Sequence, residues 1–245
     1  MKMHDLFKKT EEMFSPFLRE MEQKEFLVVE KGDERIRLIQ YITKGTTGFP
    51  LRKVTFFLLE NGWVYNKDDR NILDEDELLV GTFIPTDDIA LPFLALEASL
   101  HIEKYDHLNV DLFPLSKDER YRKTFCDPVK ELRKKHDGIE GLLPGVRTPS
   151  LLGEYSSQGM LAGDFTDSMR DITIPWWFEY VNLYKDFLEK REQYPILKEP
   201  AILEEAKKIK EIFLTKYRKA TPRILSDIPH LYSEAKGEEL GELTF

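Results

Sequence analysis

The chain has one cysteine, Cys126, among its 245 residues. A single cysteine excludes an intrachain disulfide and any Cys-rich metal or iron-sulfur site within this chain. The five histidines show no helical HxxxH or HExxH spacing, so we expect no bound catalytic metal. Glycine-rich loops of the GxGxxG or GxxxxGK[ST] type are also missing, which argues against a Rossmann cofactor site and a P-loop NTPase.

Long apolar runs and a positive net charge are missing as well. No stretch approaches the roughly 20 apolar residues that a membrane span requires, and residues 2–12 carry charges throughout rather than a signal-peptide apolar region. We therefore expect a cytoplasmic protein that does not bind membranes. The net charge of −9 argues against a general nucleic-acid binder, which needs a basic surface to neutralise phosphates.

The apolar pattern of the first half predicts a helix followed by an antiparallel sheet. The first 22 residues carry a helical stripe of apolar side chains. The short turns that follow, including Asn61-Gly62, favour an antiparallel meander because parallel crossovers need a dozen or more residues. The strand candidates are Glu25–Glu30, Arg35–Ile42, Leu51–Glu60, Trp63–Asn66, Leu78–Ile84, Pro92–Ile102 and Leu108–Phe113.

The second half is predicted to be mainly helical. A possible further strand, Glu154–Leu161, interrupts helices at Lys117–His136, Pro175–Arg191, Pro200–Lys219 and Pro222–Tyr232. With 41% hydrophobic residues, the chain suits one large domain over residues 1–245. We expect the α+β class, an α/β/α sandwich with helices on both faces of a central antiparallel sheet. Residues 1–116 form mainly helix plus strands, and residues 117–245 are mainly helical with one or two strands.

The segment Leu91–Pro114 places one carboxylate, Glu97, in the middle of a pattern typical of a buried β-hairpin. Burying an ionised carboxyl group costs several kcal/mol unless it is paired, so such a residue has a raised pKa and suits a proton donor. A second interpretation stays open. Leu94, Leu96 and Ala98 are spaced to form the inward set of the strand, which would leave Glu97 facing solvent.

Several short motifs follow one another around this hairpin. Leu51-Arg52-Lys53 opens an aromatic-rich strand, Ile84-Pro85 precedes Leu91-Pro92 by seven residues, and Glu97 follows Pro92 by five. The next strand ends in Val110–Pro114 and leads to a helical C-terminal third. In this order the motifs resemble those of the ferredoxin-dependent bilin reductases and the related red chlorophyll catabolite reductase, with Val110–Pro114 similar to their Asp-Leu-Ser-Pro element. The resemblance covers most of the chain.

The resemblance implies a function. A member of this superfamily reduces a linear tetrapyrrole such as biliverdin by a radical mechanism, acting on CH-CH or methine bonds, as in phycobilin biosynthesis. It would hold no bound cofactor and would take electrons from external reduced ferredoxin, as a monomer. Glu97 and Asp111 match the family's acidic positions and would be the catalytic residues, although an Asp before an apolar residue and proline often only fixes a turn.

The resemblance also implies substrate contacts. The guanidinium groups of Arg147 and Arg223, with Lys219, would bind the two propionates, and Ser156, Ser157 and Gln158 would bond to pyrrole or carbonyl groups. The alternative for Arg147 is an exposed loop arginine. The alternative for Ser156, Ser157 and Gln158 is a solvated strand face.

This sequence departs from the family at three places. Phe57 and Val80 stand where phycocyanobilin-forming members carry a second acid and a histidine, and the acid common before the C-terminal helix is replaced around Lys219–Thr221. Fewer proton donors favour one two-electron step and a divergent or early-branching member. Two other functions stay open, a non-catalytic protein that binds bilins or haem catabolites and an unrelated partner-binding α+β domain.

Two segments are locally basic. Lys117–His136 has eight Lys or Arg against four Asp or Glu, and Lys207–Arg223 has seven against one. Such segments could attract an acidic electron carrier. They are also typical of a solvated helix face.

Overall fold

A computed structural model describes residues 3–31, 34–44, 48–65, 72–101, 106–142 and 155–225. The strands are β1 (Met21–Lys31), β2 (Glu34–Thr43), β3 (Leu51–Tyr65), β4 (Ile72–Pro85), β5 (Phe93–His101), β6 (Asp106–Phe113) and β7 (Leu161–Phe165). The α-helices are α1 (Met3–Met13), α2 (Ser15–Leu18), α3 (Glu119–Phe125), α4 (Asp127–Lys135), α5 (Arg170–Glu189) and α6 (Pro200–Leu225). Short 3-10 helices occupy Asp167–Met169, Arg191–Gln193 and Pro195–Lys198.

The seven strands form one antiparallel sheet in sequence order, β1 to β7. The predicted antiparallel meander is therefore confirmed for the first six strands. The seventh strand joins β6 after α3 and α4, and it begins at Leu161, where the predicted strand Glu154–Leu161 ends.

The turn predicted at Asn61-Gly62 is wrong, because β3 runs without a break from Leu51 to Tyr65. The register between β3 and β4 shifts between Leu59 and Gly62, and Asn61 has φ of 53°. Asparagine tolerates this left-handed conformation better than most residues, and one extra residue in a strand forms a β-bulge. A turn signal in the sequence therefore marks a bulge within one long strand.

One face of the sheet packs against α1 and α5, and we call it the α5 face. Phe56 and Phe83 lie on this face. The Phe56 ring is 5.1 Å from that of Phe7 in α1, and the Phe83 ring is 5.8 Å from that of Tyr184 in α5. These contacts belong to the main hydrophobic core, which also includes Trp177 of α5. The burial of such large apolar surfaces holds the helices on the sheet.

The opposite face carries Glu97, and we call it the Glu97 face. Helix α6 packs at one end of it, where the Phe213 ring lies 4.4 Å from Phe93 and 4.7 Å from Phe113. Phe93 and Phe113 are register partners on β5 and β6, and period-two alternation puts them on the same face as Glu97. Helices therefore lie on both faces of the sheet, as the α/β/α prediction requires.

Three helix boundaries differ from prediction, and each of them involves a proline. The predicted helix Lys117–His136 is two helices, since Pro128 lacks an N–H and occupies the first turn of α4 instead of continuing α3. Pro175 and Pro222, predicted to open helices, lie inside α5 and α6. Around Pro175 the buried side chains on both sides stabilise the helix against the lost hydrogen bond. The part of the predicted helix Pro222–Tyr232 beyond Leu225 lies outside the described residues.

The apolar stripe at the N-terminus also ends earlier than predicted. It spans α1 and α2, and β1 begins at Met21. Within the ranges that the structure describes, no helix is both long enough and apolar enough to cross a membrane.

Candidate functional site

Glu97 lies in the middle of a row of side chains that crosses the Glu97 face. Its register partners are Val80 on β4 and Asn109 on β6, and the row continues to Phe57 on β3. Neighbouring β-strands place directly opposed side chains in contact distance on one face. Phe57 and Val80, two of the residues at which the sequence departs from the family that it resembles, therefore lie in line with Glu97.

The strand alternation explains both interpretations of Glu97. Leu94, Leu96 and Ala98 are buried on the α5 face, as the solvent-facing interpretation assumed. Glu97 lies on the other face, but that face is itself covered, and Glu97 is half-buried rather than exposed. Alternation alone identified the correct side and not how deeply that side is buried.

The Glu97 face has a buried apolar part, a buried polar row and a half-buried part. Toward β2 and β3 two rows are apolar and buried: Ile36, Leu38, Phe57, Leu59 and Leu78. The next row on the same face is polar and buried, with Gln40, Thr55 and Thr82. Around Glu97 the side chains are half-buried: Val80, Ala95, His107 and Asn109. An apolar floor beside a few convergent polar groups is the usual composition of a small-molecule site.

The environment of Glu97 favours its protonated form. Burial raises the pKa of Glu97, and the charge of His107 and a hydrogen bond from Asn109 oppose that rise in part. A carboxyl group whose pKa is raised toward neutrality can hold a proton and release it to a bound substrate.

His107 and Asp164 extend this polar group toward solvent. The Nδ1 atom of His107 is 2.7 Å from Oδ1 of Asp164 on β7, and the two side chains are 33% and 55% exposed. Neither residue was predicted from the sequence. The spacing His107-x-Asn109 opposite Glu97 was a usable signal, because residues two apart in a strand share a face. Asp164 had no such signal, since its strand was predicted elsewhere.

Asp111 is buried and fully hydrogen-bonded. It accepts from the Ser156 hydroxyl at 2.8 Å, from the Ser157 backbone N–H at 3.2 Å, and from the Leu112 N–H at 2.9 Å, and it also accepts from the Ser157 hydroxyl. Burial raises the pKa of Asp111, while the Ser157 and Ser156 hydrogen bonds act in the opposite direction. This geometry matches the alternative considered for Asp111, a carboxylate that holds nearby backbone in place.

The segment Ser156–Gly159 is a pair of serine turns rather than the predicted strand. The Ser156 hydroxyl accepts from the Gln158 N–H at 3.1 Å, and the Ser157 hydroxyl accepts from the Gly159 N–H at 3.0 Å. Such local bonds compete with a strand ladder. Both serines are buried against Asp111, whereas Gln158 is exposed with φ of 67°. Of these three predicted substrate contacts, only Gln158 presents an exposed side chain.

Two further contacts hold the same segment against helices α4 and α5. The Tyr180 hydroxyl of α5 donates to the Gly159 carbonyl at 2.7 Å. A Cβ atom at Gly159 would lie 2.5 Å from the backbone of Val129 and Lys130 in α4, so only glycine allows this approach. Asp111 and the serine segment thus fasten the end of β6 to α4 and α5.

The structure describes only two of the three predicted propionate-binding residues. Arg147 lies outside the described residues. Lys219 and Arg223 lie in the last turns of α6.

Many charges in the segment Lys117–His136 are already paired. The ion pairs Lys130–Asp127, Lys134–Glu131 and Lys135–Glu179 have N–O distances of 3.4, 2.6 and 3.5 Å. Exposed pairs of this kind are weak, and a partner can compete for them. Burial raises the pKa of the Cys126 thiol, in the same segment, to about 11, which leaves it unreactive at neutral pH.

A separate cleft of about 420 Å³ lies between α1–α2 and strands β1–β2. Glu11, in its wall, already pairs with Lys8 and accepts from the Tyr41 hydroxyl. The cleft lies at the opposite edge of the sheet from β5 to β7, so it is not part of the Glu97 site. In the part of the chain that is described, no three His, Cys, Asp or Glu side chains are grouped to hold a metal ion.

Comparisons with known proteins add one finding on the fold. No family model matches the chain, and no curated protein matches it. Among solved structures, the chain is similar to phytochromobilin synthase from tomato in complex with biliverdin, with a TM-score of 0.56 and 14% sequence identity. The match covers 97% of this chain and 79% of that one. At this identity the similarity shows a shared fold.

Proposed function

We propose that this protein reduces a linear tetrapyrrole of the biliverdin class, bound against the Glu97 face. Electrons would come one at a time from a reduced ferredoxin, and Glu97 would donate protons. The observation that carries the proposal is a half-buried carboxyl group of raised pKa, next to an apolar floor, in a fold shared with a protein solved with biliverdin. A flat conjugated ligand suits an apolar floor, and its reduction requires a proton donor.

The row through Glu97 supports a single two-electron step. Phe57 and Val80, its other members toward β3, cannot donate protons, and Asn109 holds the carboxyl group by a hydrogen bond without titrating itself. One acid in the row suits the saturation of one double bond.

Other residues would bind and orient the substrate. Asp111 would keep the serine segment in place and so position Gln158 at the edge of the site. Arg147, Lys219 and Arg223 would bind the propionates, for which guanidinium groups are suited by their paired hydrogen bonds.

The test is an anaerobic absorption time course with biliverdin, before and after reduced ferredoxin is added. We expect a shifted bilin band on binding and then a move to shorter wavelength as conjugation is lost. Glu97→Gln should keep the first shift and lose roughly 10²- to 10⁴-fold in the rate of the second. Glu189→Gln, which changes an exposed carboxylate of α5, serves as the matched control.

The absorption experiment also decides between functions. A band that shifts on binding but stays constant with ferredoxin would indicate a binding protein, which the single acid in the row also allows. The absence of any shift would contradict both functions and favour an unrelated partner-binding domain. Wild-type turnover in Glu97→Gln would remove Glu97 from the mechanism.

A further inference from the structure

We propose that His107, held by Asp164, is the positioning and relay residue through which solvent returns a proton to Glu97 within each catalytic cycle. This inference rests on the proposed function and assigns a route for its protons.

The stoichiometry of the reaction requires such a route. When one double bond is saturated, its π bond breaks and two new bonds to hydrogen form. Two electrons come from the ferredoxin-class carrier and two protons come from water. A single carboxyl group carries one proton at a time. Because Phe57 and Val80 supply none, Glu97 must be reloaded before the second transfer.

The sheet register places His107 where a relay is needed. Asn109 is the direct partner of Glu97 on β6, and His107 is two residues away on the same strand, hence a diagonal neighbour on the same face. Diagonal neighbours on one face of a sheet are roughly 7–8 Å apart, which is within reach of long side chains such as those of Glu97 and His107. The His107 side chain is 33% exposed, so it lies near Glu97 and also in contact with water.

Asp164 fixes how His107 can work. Its Oδ1 atom lies 2.7 Å from Nδ1 of His107 and accepts the Nδ1–H. In the neutral ring this leaves Nε2 as the proton-accepting atom, and in the charged ring Nε2 can donate. With Nδ1 held in this way, Nε2 is the single ring atom that takes a proton from water and then passes it on toward Glu97.

Among the described residues, the other groups that face Glu97 either do not titrate or are closed to solvent. On β4 the partner is the apolar Val80, and on β6 Asn109 does not titrate. Asp111 also faces this side, but it is 1% exposed and its oxygens accept bonds from the serine segment. Among the described residues His107 is the titratable neighbour of Glu97 that reaches solvent.

The kinetic test separates the two proton transfers. With biliverdin bound and electrons supplied one at a time, His107→Gln should form the first radical within about twofold of the wild-type rate, because Glu97 starts loaded. The decay of that radical should slow by roughly tenfold, less than when the donor itself is lost. Added imidazole should restore the decay rate in His107→Gly, and Asp164→Asn should slow it by a smaller factor.

A second measurement does not depend on activity. Infrared titration of the Glu97 carboxyl band in the ligand-free protein, identified by its loss in Glu97→Gln, should show a higher midpoint pH in His107→Gln, because a positive charge has been removed. His4→Gln is the matched control, since His4 pairs with Glu60 at 3.4 Å on the α5 side of the sheet.

These outcomes separate the relay from the proposed function. Unchanged radical decay and an unchanged Glu97 midpoint in His107→Gln would overturn the relay alone. A wild-type protein that reduces no bilin would overturn the proposed function, while the infrared titration would still report whether His107 and Glu97 are coupled.

Discussion

At the scale of single residues, the chemistry of the Glu97 face depends on where each carboxyl group finds its partners. Glu97 has one hydrogen bond from Asn109 and a half-buried position, so its proton remains available. Asp111 is buried and accepts hydrogen bonds from four donors, so its oxygens already have partners. Two acids on one face thus differ in how far their oxygens are already hydrogen-bonded, because their surroundings differ.

The raised pKa of Glu97 has a consequence for stability. The folded protein binds this proton more tightly than the unfolded chain, so the resulting stabilisation is complete below the unfolded pKa of about 4.3 and is lost as pH rises through the folded pKa. Glu97→Gln carries no charge. Its stability relative to wild type should therefore grow with pH, by about 1.4 kcal/mol for each unit of the pKa difference.

Urea unfolding of the two proteins between pH 4 and pH 8 checks this prediction. Glu189→Gln, at an exposed site, should show no such trend. A constant difference between Glu97→Gln and wild type would mean that Glu97 is solvated in the folded protein.

Replacement of Asp111 is expected to lower the free energy of unfolding. Asp111→Ala removes the acceptor of two buried serine hydroxyls and of the Ser157 N–H, and unsatisfied buried donors are costly. We expect a loss of about 3 kcal/mol in the free energy of unfolding, measured in urea.

The matched control is Asp186→Ala, which removes an exposed carboxylate that pairs with Lys190 and should change stability by less than about 0.5 kcal/mol. Equal losses in the two variants would show that Asp111 does not hold the serine segment.

At the scale of elements, the end of β6, the serine segment and helices α4 and α5 behave as one packed unit. The Tyr180 hydroxyl and the missing side chain of Gly159 bring the segment against α4, and Asp111 fixes it to β6. The unit lies beside the half-buried part of the Glu97 face, so displacement of the segment should change the site as well as the stability.

Gly159→Ala tests this unit. The added Cβ would lie 2.5 Å from the backbone of α4, where no flexible side chain can move aside, so we expect a loss of at least about 2 kcal/mol. Thermal unfolding and bilin affinity would both be measured.

Gly138→Ala is the control with the same chemical change. Gly138 has φ of 85° and open space around the added Cβ, so only backbone strain of about 1 kcal/mol is expected there. A Gly159→Ala protein as stable as Gly138→Ala would contradict the close packing described for α4.

At the scale of the whole molecule, charge decides how an acidic electron carrier could approach. The chain carries a net charge of −9, so long-range forces alone would repel such a carrier. Helix α4 offers a local excess of positive charge, although Lys130, Lys134 and Lys135 each pair with a nearby carboxylate. The exposed geometry of these pairs leaves the lysines free to exchange partners.

Reversal of these three lysines to glutamate should weaken ferredoxin association by about tenfold at low ionic strength, with the effect fading as salt is added. Binding would be measured by titration calorimetry at several salt concentrations. The control reverses Lys8, Lys9 and Lys24, which are exposed on α1 and β1 at the other edge of the sheet. Similar losses in both variants would indicate a general charge effect rather than a docking surface on α4.

The sequence by itself determined the α+β class, the antiparallel meander and the presence of a carboxylate within a buried strand pattern, because these follow from local periodicity and turn chemistry. It also placed Leu94, Leu96 and Ala98 together on one face. Local patterns misled where packing or local hydrogen bonds outweighed them, as at Asn61, Pro175 and the serine segment.

Tertiary structure alone decided which residues meet. His107 and Asp164 are 57 positions apart in the chain, and Ser157 is 46 from Asp111, yet each pair is bonded. No periodicity links such positions, since their contact depends on strand register and on how the chain returns after α4. Whether Glu97 is solvated or buried depended likewise on what covers its face of the sheet, which is a property of the packed molecule and not of the strand.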